Sequence, residues 1–498
     1  MKLSYSRSPL KVAFIHQPWS IIEPPVNNAD SVALLTDELS RQLASQGCQV
    51  VCYCRQGSGQ PQVDYRQGVE YRRASVSLDR WVKLGMQQLD RRRVRHPSRP
   101  FFSSALCYRQ FIGQVISDLE HRPCDIVHIQ NFSQFAPLIR AALPDVKIVL
   151  QMHCEWLNQL DPSMIDQRLR RCDLVLGVSD FLAAKMRARF PHLADRFRHV
   201  YNGAHLSRFA PSSRSAVLSP SERHPRILYV GRLSPEKGVH TLLEAFAKVV
   251  ARHPEALLRL VGPEQVVPYE MIIPFCDDRH VRSLAPLFRP GAYGALLRDL
   301  ILKLPPGSVE FCHNGAAQDE LPPHYHAASV FVAPSIWDEP FGMPVVEAMA
   351  SGTAVIGTCS GALPEIIDDG HSGLLVERDN PQSLADAILG LIEDPARRDA
   401  LAQAGQIRAA RMFTWERIGQ NLLNEYARVL EATDTAVRGT PEAPPIDNAS
   451  NAEARPPLRL RIPSGLPISA RARVNMMWKP QHRRQVPGRA QNSSWRPA

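Results

Sequence analysis

Two glutamates, Glu339 and Glu347, flank a Gly-Met-Pro turn in the stretch "EPFGMPVVEAMASG". Pro344 fits the first position of a helix, which is expected from Val345 to about Ala350, with Gly352 ending it. A helix start offers unpaired N–H groups and the positive end of its dipole, so the turn reads as an anion site. Gly342 lets the backbone approach closely. Glu347 falls about one turn into the helix and Glu339 lies before the turn. Carboxylates repel a phosphate, so both suit hydroxyl groups on either side of it, a ribose on one side and a hexose on the other. A favourable first-turn position, worth about 0.3–1 kcal/mol, accounts for Glu347 but not for the pair.

A second motif, "VGRLSPEKG", places Gly231-Arg232 at a strand end and Lys237-Gly238 ahead of a helix. Open α/β sheets bind ligands at the carboxyl ends of their strands. Arginine offers a two-pronged fork and lysine a point charge, a combination suited to a diphosphate. Standing alone, the two cations read equally well as solvated surface charges.

The elements that must position these groups alternate regularly. "KVAFI", the helical pattern of "DSVALLTDELSRQLASQG" and "CQVVCYC" make a strand-helix-strand opening, which implies a parallel sheet. "DIVHI", "KIVLQMH" and "DLVLGVS" follow as strands. The pattern restarts with "RILYVGRL", an amphipathic helix and "ALLRLVG", then "SVEFC", "SVFVAPS", "TAVIGT" and "GLLVE". A polar, Pro/Ser-rich boundary near 203–224 separates the two units. The expected domains are 1–205, 206–433 with a last helix at 414–432, and a disordered Pro/Arg-rich tail at 434–498.

Composition narrows the partners. The chain has 498 residues and a net charge of +10. From Arg438 onward there are 11 Lys and Arg against 3 Asp and Glu, so eight of those charges lie in the tail. The remaining body is nearly neutral, which argues against a nucleic-acid-binding face. No apolar run approaches the roughly 20 residues that cross a bilayer. The beginning carries no signal-peptide core, and the ten cysteines are scattered without a CxxC pair. These features lead us to expect reduced thiols and a cytoplasmic location. The basic stretch 80–102, with Trp81 and two phenylalanines, reads either as a patch resting on an anionic membrane or as a solvated helix-loop.

Taken together, "VGRLSPEKG", "APSIWDEPFGMPVVEAMASGTAVIGT", "GALPEII", "SGLLVERDNPQSLADAI" and the earlier "YNGAHLSRF" resemble glycosyltransferase family 4, the group with a Glu-x7-Glu motif. The resemblance covers roughly 10–430 and is most specific over 226–390. It implies a GT-B fold, two Rossmann-like doubly wound domains facing across a cleft. It implies a retaining transfer of a hexosyl unit from a UDP- or GDP-sugar to a glycan, lipid-linked or small-molecule acceptor, in polysaccharide or glycoconjugate synthesis. By the same resemblance Arg232 and Lys237, with Gly231 beside them, bind the donor diphosphate. Glu339 contacts hydroxyls of the transferred sugar and Glu347 holds the ribose. Backbone around Phe341, Gly342, Met343 and Pro344 contributes the sugar-phosphate site, and His153 in "QMHCEW" lies by the reacting sugar. As a residue alone, His153 reads equally as a strand-end core histidine. No metal or other cofactor is implied.

Two departures stand out. The first βα loop, "HQPWSIIEPPVNNADS", lacks the glycine pair frequent in the family, and Gly315 is shifted in the turn after "VEF". A GT-B sugar-nucleotide epimerase and a non-catalytic sugar-nucleotide-binding relative remain as rival readings.

Overall fold

Short apolar runs, most of them followed by amphipathic helices, build two sheets in the computed structural model. It describes residues 9–23, 31–91, 96, 98–210, 224–312 and 316–438. The first sheet contains β1 (Lys11–Ile15), β2 (Gln49–Arg55), β3 (Val63–Arg66), β4 (Val69–Ala74), β5 (Ile126–Gln130), β6 (Lys147–Met152), β7 (Leu174–Gly177) and β8 (Phe197–His199). Its order is β3-β4-β2-β1-β5-β6-β7-β8. The second contains β9 (Arg226–Val230), β10 (Leu257–Val261), β11 (Val309–Cys312), β12 (Val330–Ala333), β13 (Ala354–Thr358) and β14 (Leu374–Val376), in the order β11-β10-β9-β12-β13-β14. Every β9–β14 pairing is parallel. Strands covered by helices on both faces bury whole runs, as β5 and β13 do along their full length.

The α/β class and the two doubly wound sheets match expectation. The antiparallel β3–β4 hairpin and the short strand β8 were not foreseen. The hairpin is rich in charge, with a partly exposed outer strand, and lacks the apolar run of a buried strand. Its turn is Gln67-Gly68, both in the left-handed region at φ 49° and 81°.

The last helix runs Trp415–Arg438, six residues past the expected end. Trp415, Ile418, Leu422 and Tyr426, at helical spacing, enter the same core as Val12, Phe14, Leu35 and Leu39 of the first sheet and its first helix. The Tyr426 hydroxyl lies 2.5 Å from Nδ1 of buried His128 on β5. Where the chain crosses back, the Ala204 N–H donates to the Phe413 carbonyl at 2.7 Å. Rings of Tyr201, Phe341 and Phe413 close a triangle there, with centroids 5.6–6.0 Å apart. The tail from 439, most of the polar boundary (211–223), the stretch 24–30 of the first loop and the turn 313–315 lie outside the described residues.

The basic stretch differs from expectation. A helix spans Ser77–Arg91, with Asp79 turned inward to accept from the N–H groups of Gln110 and Phe111, both at 3.0 Å. That pins the opposite face outward, leaving Leu78 63%, Trp81 75% and Leu84 57% exposed. The two phenylalanines do not join it. Phe101 is buried in the core, and Phe102 packs on Trp156 at 4.9 Å.

Candidate active site

The second sheet reverses its strand order between β9 and β12, which opens a crevice outside the strand ends. The two motifs leave the sheet at that crevice. Gly231 and Arg232 follow β9, and the loop carrying Glu339 follows β12. The N–H of Gly231 is already donated to the Val261 carbonyl at 2.9 Å, so this glycine supports the loop rather than offering a donor. Arg232 is oriented from below by Glu236, fully buried and 3.3 Å from the guanidinium. The Glu236 carboxylate also accepts from the Ser234 hydroxyl, and its backbone carbonyl accepts from the N–H groups of Ile336 and Trp337. One buried acid thus ties the β9 loop to the β12 loop.

Lys237 and Glu339 meet. Lys237 Nζ lies 2.5 Å from Glu339 Oε1 and 4.8 Å from the centre of the Trp337 ring. Ser335 donates its hydroxyl to the same oxygen at 2.5 Å. Burial raises the Glu339 carboxyl, but Lys237 and the Ser335 hydroxyl outweigh it and hold it below the ordinary glutamate value. Glu347 sits in a different setting. Tyr325 donates to its Oε2 at 2.8 Å and Gln318 approaches Oε1 at 3.5 Å. Burial dominates there and pushes this carboxyl up. The carboxyls of two glutamates in one motif are therefore shifted in opposite directions.

The helix after Gly342 begins one residue earlier than expected. The helix spans Met343–Ala350, with Pro344 in its second position. Gly342 takes φ 120°, and a Cβ there would lie 2.8 Å from Leu363 Cδ2, so only glycine suits the site. The N–H groups of Val345 and Val346 turn back to the Gly342 carbonyl at 3.0 and 3.4 Å. Pro344 has no N–H. The turn's N–H groups for an anion thus narrow to those of Gly342 and Met343. Phe341 is 3% exposed inside the aromatic triangle, so its side chain fixes the loop and its backbone keeps the expected donor-side place.

On the first sheet, His153 follows β6. Its Nε2 is 2.6 Å from Gln130 Oε1, and its backbone N–H donates to Asn131 Oδ1 at 2.8 Å. Asn131, in the left-handed region at φ 62°, donates from Nδ2 to Gln17 Oε1 at 3.0 Å. Loops after β1, β5 and β6 are laced together through these amides. The sequence reading missed Gln17, Gln130 and Asn131, and also Glu236, Ser335, Trp337 and Tyr325. A left-handed, non-glycine residue at a strand end is the kind of strained position found at functional sites, but φ is not visible in a sequence.

Residues 263–291 form short turns around Ile272, Ile273, Val281, Leu284 and Phe288, which pack on Ile336 and Trp337. This segment buttresses the loop bearing Glu339.

These loops lie at the strand ends of two Rossmann-like sheets on a GT-B frame. Residues 214–408 match the family described as glycosyl transferases group 1, and residues 32–208 match Glycosyltransferase Family 4. The chain belongs to these glycosyltransferases. It is 29% identical over 469 residues to a D-inositol 3-phosphate glycosyltransferase of Geodermatophilus obscurus, covering 87% of this chain and 94% of that one. It is 26% identical over 333 residues to spore coat protein SA of Bacillus subtilis, covering 64% and 82%. Among solved structures, sucrose-phosphate synthase of Thermosynechococcus elongatus superposes with a TM-score of 0.63 at 21% identity, over 85% of this chain and all of that one. HepE of Anabaena, solved with UDP and glucose, gives 0.59 at 17% identity, over 84% and 99%.

Proposed function

We propose that the protein transfers a hexosyl unit, with retention, from a UDP- or GDP-sugar to a glycan, lipid-linked or small-molecule acceptor. The observation that carries this reading is the pairing of Lys237, from the loop after β9, with Glu339, from the loop after β12, at the crevice where the strand order reverses. The fold neighbour that holds UDP and glucose supports a nucleotide-sugar donor.

On this reading the diphosphate takes Arg232, Lys237 and the N–H groups of Gly342 and Met343. Glu347, kept ready by Tyr325, accepts from the ribose hydroxyls. Glu339 shares Lys237 with the diphosphate and accepts from hydroxyls of the transferred sugar, with His153 on the acceptor side. The leaving phosphate oxygen takes the proton from the attacking hydroxyl on the same face of the sugar. Catalysis is then mainly electrostatic, through cations and a helix start aimed at the charge growing on the diphosphate. We propose no metal requirement, so turnover should survive chelation by EDTA. The exposed Leu78, Trp81 and Leu84 face, next to basic residues, suits an anionic membrane bearing a lipid-linked acceptor, with the protein working at the inner membrane surface.

A thermal-shift panel of UDP-, GDP- and ADP-sugars tests the donor site, followed by hydrolysis of the best stabiliser. Stabilisation by one nucleotide class, with slow release of its sugar, is expected. No stabilisation by any would sink the reading.

A further inference from the structure

A run of alternating charge joins the loop carrying His153 to the loop carrying Glu339. Glu155 lies two residues after His153. Its Oε2 is 2.9 Å from Lys185 Nζ, on the helix Asp180–Arg189. The same Nζ is 2.8 Å from Asp338 Oδ2, the residue before Glu339. The other Asp338 oxygen, 3.2 Å from Arg378, also accepts from the Gly361 N–H. Arg378 in turn lies 2.9 Å from Asp278. Lys185 is thus the one member whose charge is shared between an acid of the first sheet's loops and an acid of the second's.

The neighbouring contact runs the same way. Glu365, of the second half, accepts from the N–H groups of Asp180 and Phe181, the start of the helix that carries Lys185. That helix is therefore fixed at its first turn, and Lys185 reaches from it with its ammonium 4.7 Å from the Phe181 ring centre. Glu155 is desolvated, and burial pushes its carboxyl up against the pull of Lys185. Lys185 thus offsets part of the cost of burying Glu155, and it bonds Glu155 and Asp338 at once.

We propose that Lys185 is a positioning residue for the transfer step. It docks the His153 loop onto Asp338 and so fixes the acceptor side against Glu339, without touching the donor. The proposal rests on the functional reading above. A misplacement of about 1 Å at a reacting centre costs up to about a hundredfold in rate.

The test compares wild type with Lys185→Met and Lys185→Arg, using UDP-glucose hydrolysis, UDP calorimetry and hydrogen exchange of the ligand-free protein. In Lys185→Met, kcat should fall about tenfold to a hundredfold. UDP affinity and the KM for UDP-glucose should stay within about twofold, because the donor contacts lie on other residues. Amides of 153–159 and 336–341 should exchange faster, and Lys185→Arg should restore both kcat and protection. An unchanged kcat overturns the proposal, as does a lower kcat with unchanged exchange. An equal loss of UDP affinity also overturns it, by moving Lys185 into the donor site. If the wild type neither binds UDP or GDP nor turns over any UDP- or GDP-sugar, the transferase reading fails. The exchange comparison needs no substrate and still decides whether Lys185 docks the two loops.

Discussion

Lys237 and Glu339 form a 2.5 Å ion pair across 102 residues of sequence, joining the cationic motif to the acidic one. The pair has a consequence for mutants of the lysine. Lys237→Ala removes a cation from the expected diphosphate site and also leaves a buried carboxylate without its counter-charge. Turnover should fall about 10²–10³-fold, and stability by about 1–3 kcal/mol. Adding Glu339→Gln should recover most of the stability and none of the turnover. Urea unfolding and donor hydrolysis on the single and double variants measure both. Recovery of turnover in the double variant would contradict the assignment.

Glu347→Gln should separate binding from folding. Burial raises the Glu347 carboxyl, so the native state holds its proton more tightly than the unfolded chain does. Above the ordinary glutamate range, the ionised form therefore weighs against the free protein. The amide should leave stability at neutral pH unchanged or higher. UDP affinity should fall by about 1.5–3 kcal/mol, the worth of hydrogen bonds to a charged group. Calorimetry with UDP and a melting curve on the same sample decide it, and a parallel loss of both would count against the ribose role.

His128 predicts acid sensitivity. Burial, with a smaller push from His153, takes its pKa down to about 3. The unfolded chain binds that proton below about pH 6.5, so between those values the unfolded state holds more protons and stability rises with pH. The slope from this group alone is about 1.4 kcal/mol per pH unit. His128→Asn keeps a partner for the Tyr426 hydroxyl and should flatten the dependence between pH 6 and 4. An identical slope in the variant would rule His128 out as the source.

The outward face near Trp81 should govern vesicle binding. Trp81→Ser should lower co-sedimentation with anionic vesicles about tenfold, with little effect on neutral ones or on UDP-glucose hydrolysis. Equal pelleting by wild type and variant would remove the membrane role of this face.

The strand ends that carry Arg232 and Glu339 were legible because apolar runs, a cationic loop and a Gly-Met-Pro turn each have a local signature. The partners were not. Glu339 is held by Lys237, on the other motif, and Glu347 by Tyr325, on a short helix 22 residues earlier. Local patterns carry no information about which of many tyrosines or serines folds back to a given acid. The packing of Phe341 was out of reach for a related reason, because only the folded chain brings Tyr201 and Phe413 to it. The β3–β4 hairpin was hidden by its charges, which tertiary pairing tolerates at a sheet edge.

The helix Trp415–Arg438 completes the core of a sheet whose first strand begins at Lys11. During synthesis the earlier half emerges first, yet the part of this core that Trp415, Ile418, Leu422 and Tyr426 fill stays open until residues beyond Tyr426 have left the ribosome. The nascent first half therefore waits, with apolar surface open, for almost the entire length of the second. A fragment ending before this helix is expected to be prone to aggregation, and permuting the chain so that the helix leads should shorten that wait.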